Sequence, residues 1–110
     1  MKENFLTISE LNRQIKTIVD SSTILQNIVV RGELQSFKKH IATGSYFFKL
    51  VENKTSISCM IPSFIDNNYD KQFKDGDLVE VVGSVTYFNN RGEINFKIYS
   101  QKNLRGVLKW

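Results

Sequence analysis

One cysteine, one proline and one histidine in 110 residues set the first limits. The lone thiol, Cys59, cannot form an internal disulfide, so no covalent staple holds the chain together. His40 has no cysteine or carboxylate near it in sequence, which gives neither metal-ligand spacing nor a base with an orienting partner. No apolar run approaches the ~20 residues of a membrane span. The opening Met1-Lys2-Glu3-Asn4-Phe5 lacks the apolar core and cleavage site of a secretory signal. These absences predict a cytoplasmic protein with no membrane contact, no cofactor, no metal and no catalytic site within the chain. The length suits one domain with its own core.

What is present is a basic excess, a formal charge of +4 with an isoelectric point near 9.3, and it is unevenly placed. Between Arg31 and Lys49 only Glu33 opposes Arg31, Lys38, Lys39 and Lys49. From Asp66 to Glu80 the sign reverses, with Asp66, Asp70, Asp75, Asp77 and Glu80 against Lys71 and Lys74. From Arg91 onward Arg91, Lys97, Lys102, Arg105 and Lys109 oppose Glu93 alone. A fold with a basic side and an acidic side produces this pattern, and the basic side suits an anionic partner. Solvated charge with no partner is the plainer alternative.

Periodicity gives the elements. Thr7 or Ser9 can cap a helix, and Thr7 with Glu10 has capping-box spacing. Leu11, Ile15, Ile18 and Val19 recur at helical spacing as one apolar stripe, expected to pack on the core. Arg13 and Lys16 lie on the polar side, and the helix ends near Asp20-Ser21-Ser22. The period then becomes two. Ile28, Val30 and Leu34 share a face opposite Arg31, Glu33 and Gln35, with a bend or bulge expected at Gly32. Lys38 to Gly44 reads as a polar loop. Tyr46, Phe48 and Leu50 point one way and Phe47 and Lys49 the other. After an Asn53-Lys54 turn, Ile57, Cys59 and Ile61 alternate with Ser56, Ser58 and Met60 until Pro62 closes the strand. Ser63 to Lys74 has room for a short helix, and Asp75-Gly76-Asp77 is a turn. Val79, Val81, Gly83 and Val85 are read as inward, Glu80, Ser84 and Thr86 as outward. Asn89-Asn90-Arg91-Gly92 signals a hairpin before a strand burying Ile94, Phe96 and Ile98 and exposing Asn95, Lys97 and Tyr99.

One helix followed by five strands, broken between the third and fourth, is the order of an OB-fold. The predicted class is all-β with an N-terminal helix, a five-stranded Greek-key barrel. Residues 1–22 form the helix packing on the barrel, 23–102 the OB-fold, and 103–110 the start of a linker.

Four segments carry a more specific resemblance. Leu6-Thr7-Ile8-Ser9-Glu10-Leu11-Asn12-Arg13-Gln14-Ile15-Lys16 and Val30-Arg31-Gly32-Glu33-Leu34-Gln35-Ser36-Phe37-Lys38 are similar to the opening helix and first strand of the exodeoxyribonuclease VII large subunit. Thr43-Gly44-Ser45-Tyr46-Phe47-Phe48-Lys49-Leu50 resembles its second strand, and Gly83 through Glu93 its arginine-glycine hairpin. The resemblance implies an OB-fold domain that binds single-stranded DNA ahead of a catalytic region lying after Trp110. It also implies small subunits carried by regions absent here. The parent enzyme so implied degrades single-stranded DNA to oligonucleotides, and this part of it is expected to cut nothing. Three departures imply fewer polar contacts than that family usually has. Ser45 replaces a histidine, Val51-Glu52 a lysine-aspartate pair, and Ser58 and Ser63 two arginines.

Single strands are held by a basic groove that tracks the phosphates and by aromatic faces on which bases stack. Phe47 is the stacking candidate, on the outward side of its strand beside Lys49; packing under the helix or a partner is its alternative. Arg31 reaches a phosphate or pairs with Glu33. Lys38, Lys39 and His40 edge the groove after the first strand, and His40 stacks or bonds a base edge. Arg91 stands at the hairpin tip on the other wall, and Lys97 extends the surface. Cys59 is read as a small core residue. An anticodon-type RNA domain remains open as a second reading. A third is a protein- or sugar-binding barrel with Phe47 and Met60 as its partner surface.

Overall fold

The computed structural model describes residues 4–63, 65 and 73–104. The chain opens with helix α1, Ile8–Ser21. Thr7 caps it: the Glu10 N–H donates to the Thr7 hydroxyl at 3.1 Å and the Thr7 N–H to the Glu10 carboxylate at 2.8 Å. Two otherwise orphaned donors are thereby satisfied, and the bonds to Thr7 hold the Glu10 carboxyl below its usual range. A 3-10 turn, Thr23–Leu25, leads into the strands.

Strands β1 (Ile28–Lys39), β2 (Tyr46–Glu52), β3 (Thr55–Ile61), β4 (Leu78–Phe88) and β5 (Glu93–Asn103) close a barrel in the order β1-β2-β3-β5-β4. β1 serves both sides of the closure: Ile28–Glu33 pairs with β4, and Glu33–Lys39 pairs with β2. The β3–β5 seam is parallel, through Cys59–Phe96 and Met60–Lys97. Alternation explains the core. Tyr46, Phe48 and Leu50, then Cys59 and Ile61, then Val79, Val81, Val85 and Tyr87, and finally Phe96 and Ile98 all turn inward and are buried. Gly83 is required where β4 crosses β5, because a Cβ there would stand 2.2 Å from the Lys97 carbonyl oxygen. β5 runs through Asn103, and buried Leu104 donates its N–H to Leu78 O.

Several expectations need correction. Gly32 pairs in register with Val79, and the break in β1 falls instead between Gln35 and Lys38, where Ser36 adopts φ +58°. β1 then continues through Lys38 and Lys39, so the loop is confined to His40–Ser45. The α1 stripe is only partly core. Val19 is buried and Ile15 half-buried, but Leu11 and Ile18 are 45% and 68% exposed, because β4 meets one side of the helix. Ser84 faces outward as expected yet is buried, since the segment after α1 covers it and the Asn27 N–H donates to its hydroxyl at 2.9 Å. Ile94 faces inward at the barrel rim and stays 42% exposed. The helix expected within Ser63–Lys74 lies largely outside the described residues.

Candidate nucleic-acid interface

Outward residues of four strands meet in one open cleft of about 630 Å³. Phe47 and Lys49 come from β2, Ser58 from β3, Lys38 from β1 beyond its irregularity, and Asn95 from β5, with inward-facing Ile94 reaching the cleft from the barrel rim. Phe88 and Arg91 supply the wall made by the β4–β5 hairpin. Cross-strand pairing brings the key side chains together: Lys38 stands opposite Phe47, Phe47 opposite Met60, and Lys49 opposite Ser58. Of the charged groups lining the cleft, Lys38, Lys49 and Arg91 are cations and Glu93 alone is an anion.

The aromatic floor has defined neighbours. Phe47 is half-buried and meets the His40 ring edge-on, with centroids 6.0 Å apart at 84°. His40 is steadied by a 3.0 Å hydrogen bond between its Nδ1 and the Thr43 hydroxyl. The Arg91 guanidinium lies 6.0 Å from the Phe88 ring centre and 3.0 Å from the Glu93 carboxylate. With both partners of that ion pair more than half exposed, it is weak and exchangeable. Lys39 stands opposite buried Tyr46, places its ammonium 5.7 Å from the centre of that ring, and does not line the cleft.

Besides Lys39, two sequence-predicted residues stand apart from this cluster. Arg31 lies in a smaller cleft of about 190 Å³ and pairs with Glu80 at 2.9 Å, not with Glu33, which accepts from Gln35 instead. Lys97 is two residues beyond Asn95 on β5, opposite Ser84, and does not line the main cleft. Sequence reasoning passed over three groups. Phe88 is a second aromatic in the cleft, and strand alternation against inward Tyr87 was signal enough to place it outward. Asn95 carries an Oδ1 that is covered and without a hydrogen-bond partner, for which the sequence offers no signal. Ile41, in the β1–β2 loop, is 93% exposed.

Among the described residues no three His, Cys, Asp or Glu side chains come together as a metal site. Burial pushes the Cys59 thiol up to about 12, so it is protonated and unreactive near neutral pH. Among the described residues no helix is long and apolar enough to cross a membrane.

A barrel of this strand order, open on a basic face with aromatic rings, is matched by sequence. Residues 6–101 fit the family described as OB-fold nucleic acid binding domain. The chain belongs to that family. This OB-fold domain is 31% identical over 105 residues to the exodeoxyribonuclease 7 large subunit of Staphylococcus carnosus (strain TM300), covering 94% of this chain and 23% of that protein. It is 32% identical over 94 residues to the same-named subunit of Leptospira interrogans, covering 84% of this chain and 22% of that protein. The OB-fold domain therefore spans under a quarter of the length of these relatives. Among solved structures, a chain of the S. pombe Stn1–Ten1 complex aligns with TM-score 0.60 at 17% identity, covering 73% of this chain and 59% of that one. The aspartyl-tRNA synthetase of Entamoeba histolytica aligns with TM-score 0.60 at 9% identity, covering 73% of this chain and 18% of that one. At such identities these two likenesses speak for the fold alone.

Proposed function

We propose that this OB-fold domain is the single-stranded-DNA-binding part of an exodeoxyribonuclease VII large subunit, with phosphodiester hydrolysis performed elsewhere in the longer protein. The observation that carries the proposal is the single cleft that collects Phe47, Lys38, Lys49 and Arg91 on one face of the barrel. Phe47 stacks on an unpaired base while the three cations follow the phosphates. Phe88 offers a second ring once Arg91 swings to phosphate and leaves Glu93. His40 forms the rim, Lys39 reaches it only by leaving the Tyr46 ring, and Lys97 lengthens the track along β5. Arg31 joins only by giving up Glu80.

In this arrangement α1 buttresses the barrel, and the chain after Leu104 leads toward the catalytic region. Small subunits attach to regions outside the chain, and the assembly acts in the cytoplasm. A tethered binding module makes the encounter between strand and active site intramolecular. Removing residues 1–103 from the intact subunit should therefore raise KM for long single-stranded DNA far more than it lowers kcat. An unchanged KM would refute the role. The isolated domain, incubated with end-labelled oligonucleotide with and without magnesium, should release no shorter products.

A further inference from the structure

The irregularity in β1 decides which side chains reach the cleft. Gln35 stands opposite Lys49 and Lys38 opposite Phe47, so Ser36 and Phe37 together face Phe48 alone. This is a one-residue β-bulge, and Ser36 takes φ +58° within it. In an unbroken ladder Lys38 would stand opposite buried Tyr46, and Phe37 opposite Phe47 on the cleft side. The bulge exchanges them. Phe37 turns inward and stacks on Tyr46 with centroids 5.3 Å apart, and Lys38 lines the cleft.

A left-handed serine costs free energy, so something must hold it. The pairing of β1 with β4 stops at Glu33, and the turn before β4 takes over the freed edge. The Gly76 N–H donates to Leu34 O at 2.8 Å, and the Leu34 N–H donates to Asp77 O at 2.9 Å. The Phe37 N–H, inside the bulge, donates to the Asp75 carboxylate at 2.8 Å. Of the three bonds only the last depends on a side chain.

We propose that Asp75 is a positioning residue whose carboxylate holds the β1 bulge in the form that turns Lys38 toward the strand-binding cleft. The inference rests on that cleft being the binding surface. Asp75 does not line it. Because Asp75 is an anion, simple electrostatics makes its removal tighten binding of a polyanion. A positioning role gives the opposite sign, and the two are separable by experiment.

The test is titration of a labelled oligonucleotide with the 110-residue chain across a salt series. Losing one lysine–phosphate contact lowers the magnitude of the salt slope by ~0.7, and affinity at 0.1 M salt about fivefold. Lys38→Ala and Asp75→Ala should each show this, and the double variant should be no weaker than either alone. Asp75→Asn keeps an acceptor oxygen and should bind at least as well as the parent. Ser36→Gly tolerates the left-handed backbone without penalty and should restore binding to Asp75→Ala. If Asp75→Ala binds as tightly as the parent while Lys38→Ala is weakened, Asp75 has no such role and the cleft still stands. Unchanged binding by Lys38→Ala removes the reading beneath the proposal. If Asp75→Ala does not fold, the Ser36→Gly/Asp75→Ala chain decides: parental binding supports the role, and binding at the Lys38→Ala level overturns it.

Discussion

Phe47→Ala separates binding from folding, because neighbouring Phe48 provides the internal control. Phe47 is half-buried, and its strand neighbours on the outward face are Lys38 and Met60. Cross-strand pairs of this kind contribute ~0.2–1 kcal/mol each, so truncation should cost about 1 kcal/mol of stability. For a chain of this size that lowers Tm by roughly 4–8 °C. Phe48 is 4% exposed and sits in the core. Its truncation should cost about 3–5 kcal/mol. Binding should show the reverse order. Losing one base stack weakens affinity by ~1–3 kcal/mol, roughly 5- to 150-fold. Fluorescence anisotropy with a labelled single strand, paired with a thermal melt of each variant, reads both quantities. If Phe47→Ala melts as low as Phe48→Ala, or binds within about twofold of the parent, Phe47 is structural and the stacking assignment fails.

Other substitutions probe the same cleft and the barrel behind it. Ser58→Arg places a cation opposite Lys49 in the cleft; titration across salt should show a slope steeper by ~0.7 and affinity about fivefold higher at 0.1 M. Gly83→Ala forces a Cβ onto the Lys97 carbonyl, and denaturant unfolding should show a loss of about 3 kcal/mol or complete failure to fold. Cys59 should resist alkylation in the native state at pH 8, with modification appearing only as the chain unfolds. Because burial raises this thiol from 9.0 to about 12, the unfolded chain ionises first as pH rises. Stability is therefore unaffected below about pH 8 and falls by about 1.4 kcal/mol by pH 10, relative to Cys59→Ala. An identical pH profile for Cys59→Ala would contradict the buried thiol.

Strand alternation made much of this molecule legible. The inward set Tyr46, Phe48 and Leu50 and the outward pair Phe47 and Lys49 follow from a period of two, and the capping box at Thr7 and Glu10 from local spacing. What escaped depends on contacts distant in sequence. Local pattern marks Gly32 as the irregular point of β1, but the bulge lies at Ser36 and Phe37, where Asp75 accepts from the Phe37 N–H from 38 positions away. That displacement turned Lys38 from an expected loop residue into a strand residue opposite Phe47. A second register change, beside Tyr99, sets Gln101 opposite inward Val81, which no apolar pattern signals. Helical periodicity showed that α1 has an apolar stripe but not how much of it the barrel covers, so Leu11 and Ile18 remained in solvent. Arg31 illustrates the same limit. Its partner Glu80 is a register neighbour on β4, visible only once the strands are paired.

The most direct test of single-strand binding through this cleft is one titration of the chain with matched single-stranded and duplex oligonucleotides at 50 and 200 mM salt. Lys38, Lys49 and Arg91 together give a slope of log affinity against log salt of about −2. Affinity for the single strand should therefore fall roughly 20-fold between the two conditions. At both salt concentrations the single strand should bind more tightly than the duplex, because Phe47 stacks only on an unpaired base. Equal affinity for the two forms, or binding insensitive to salt, would contradict it.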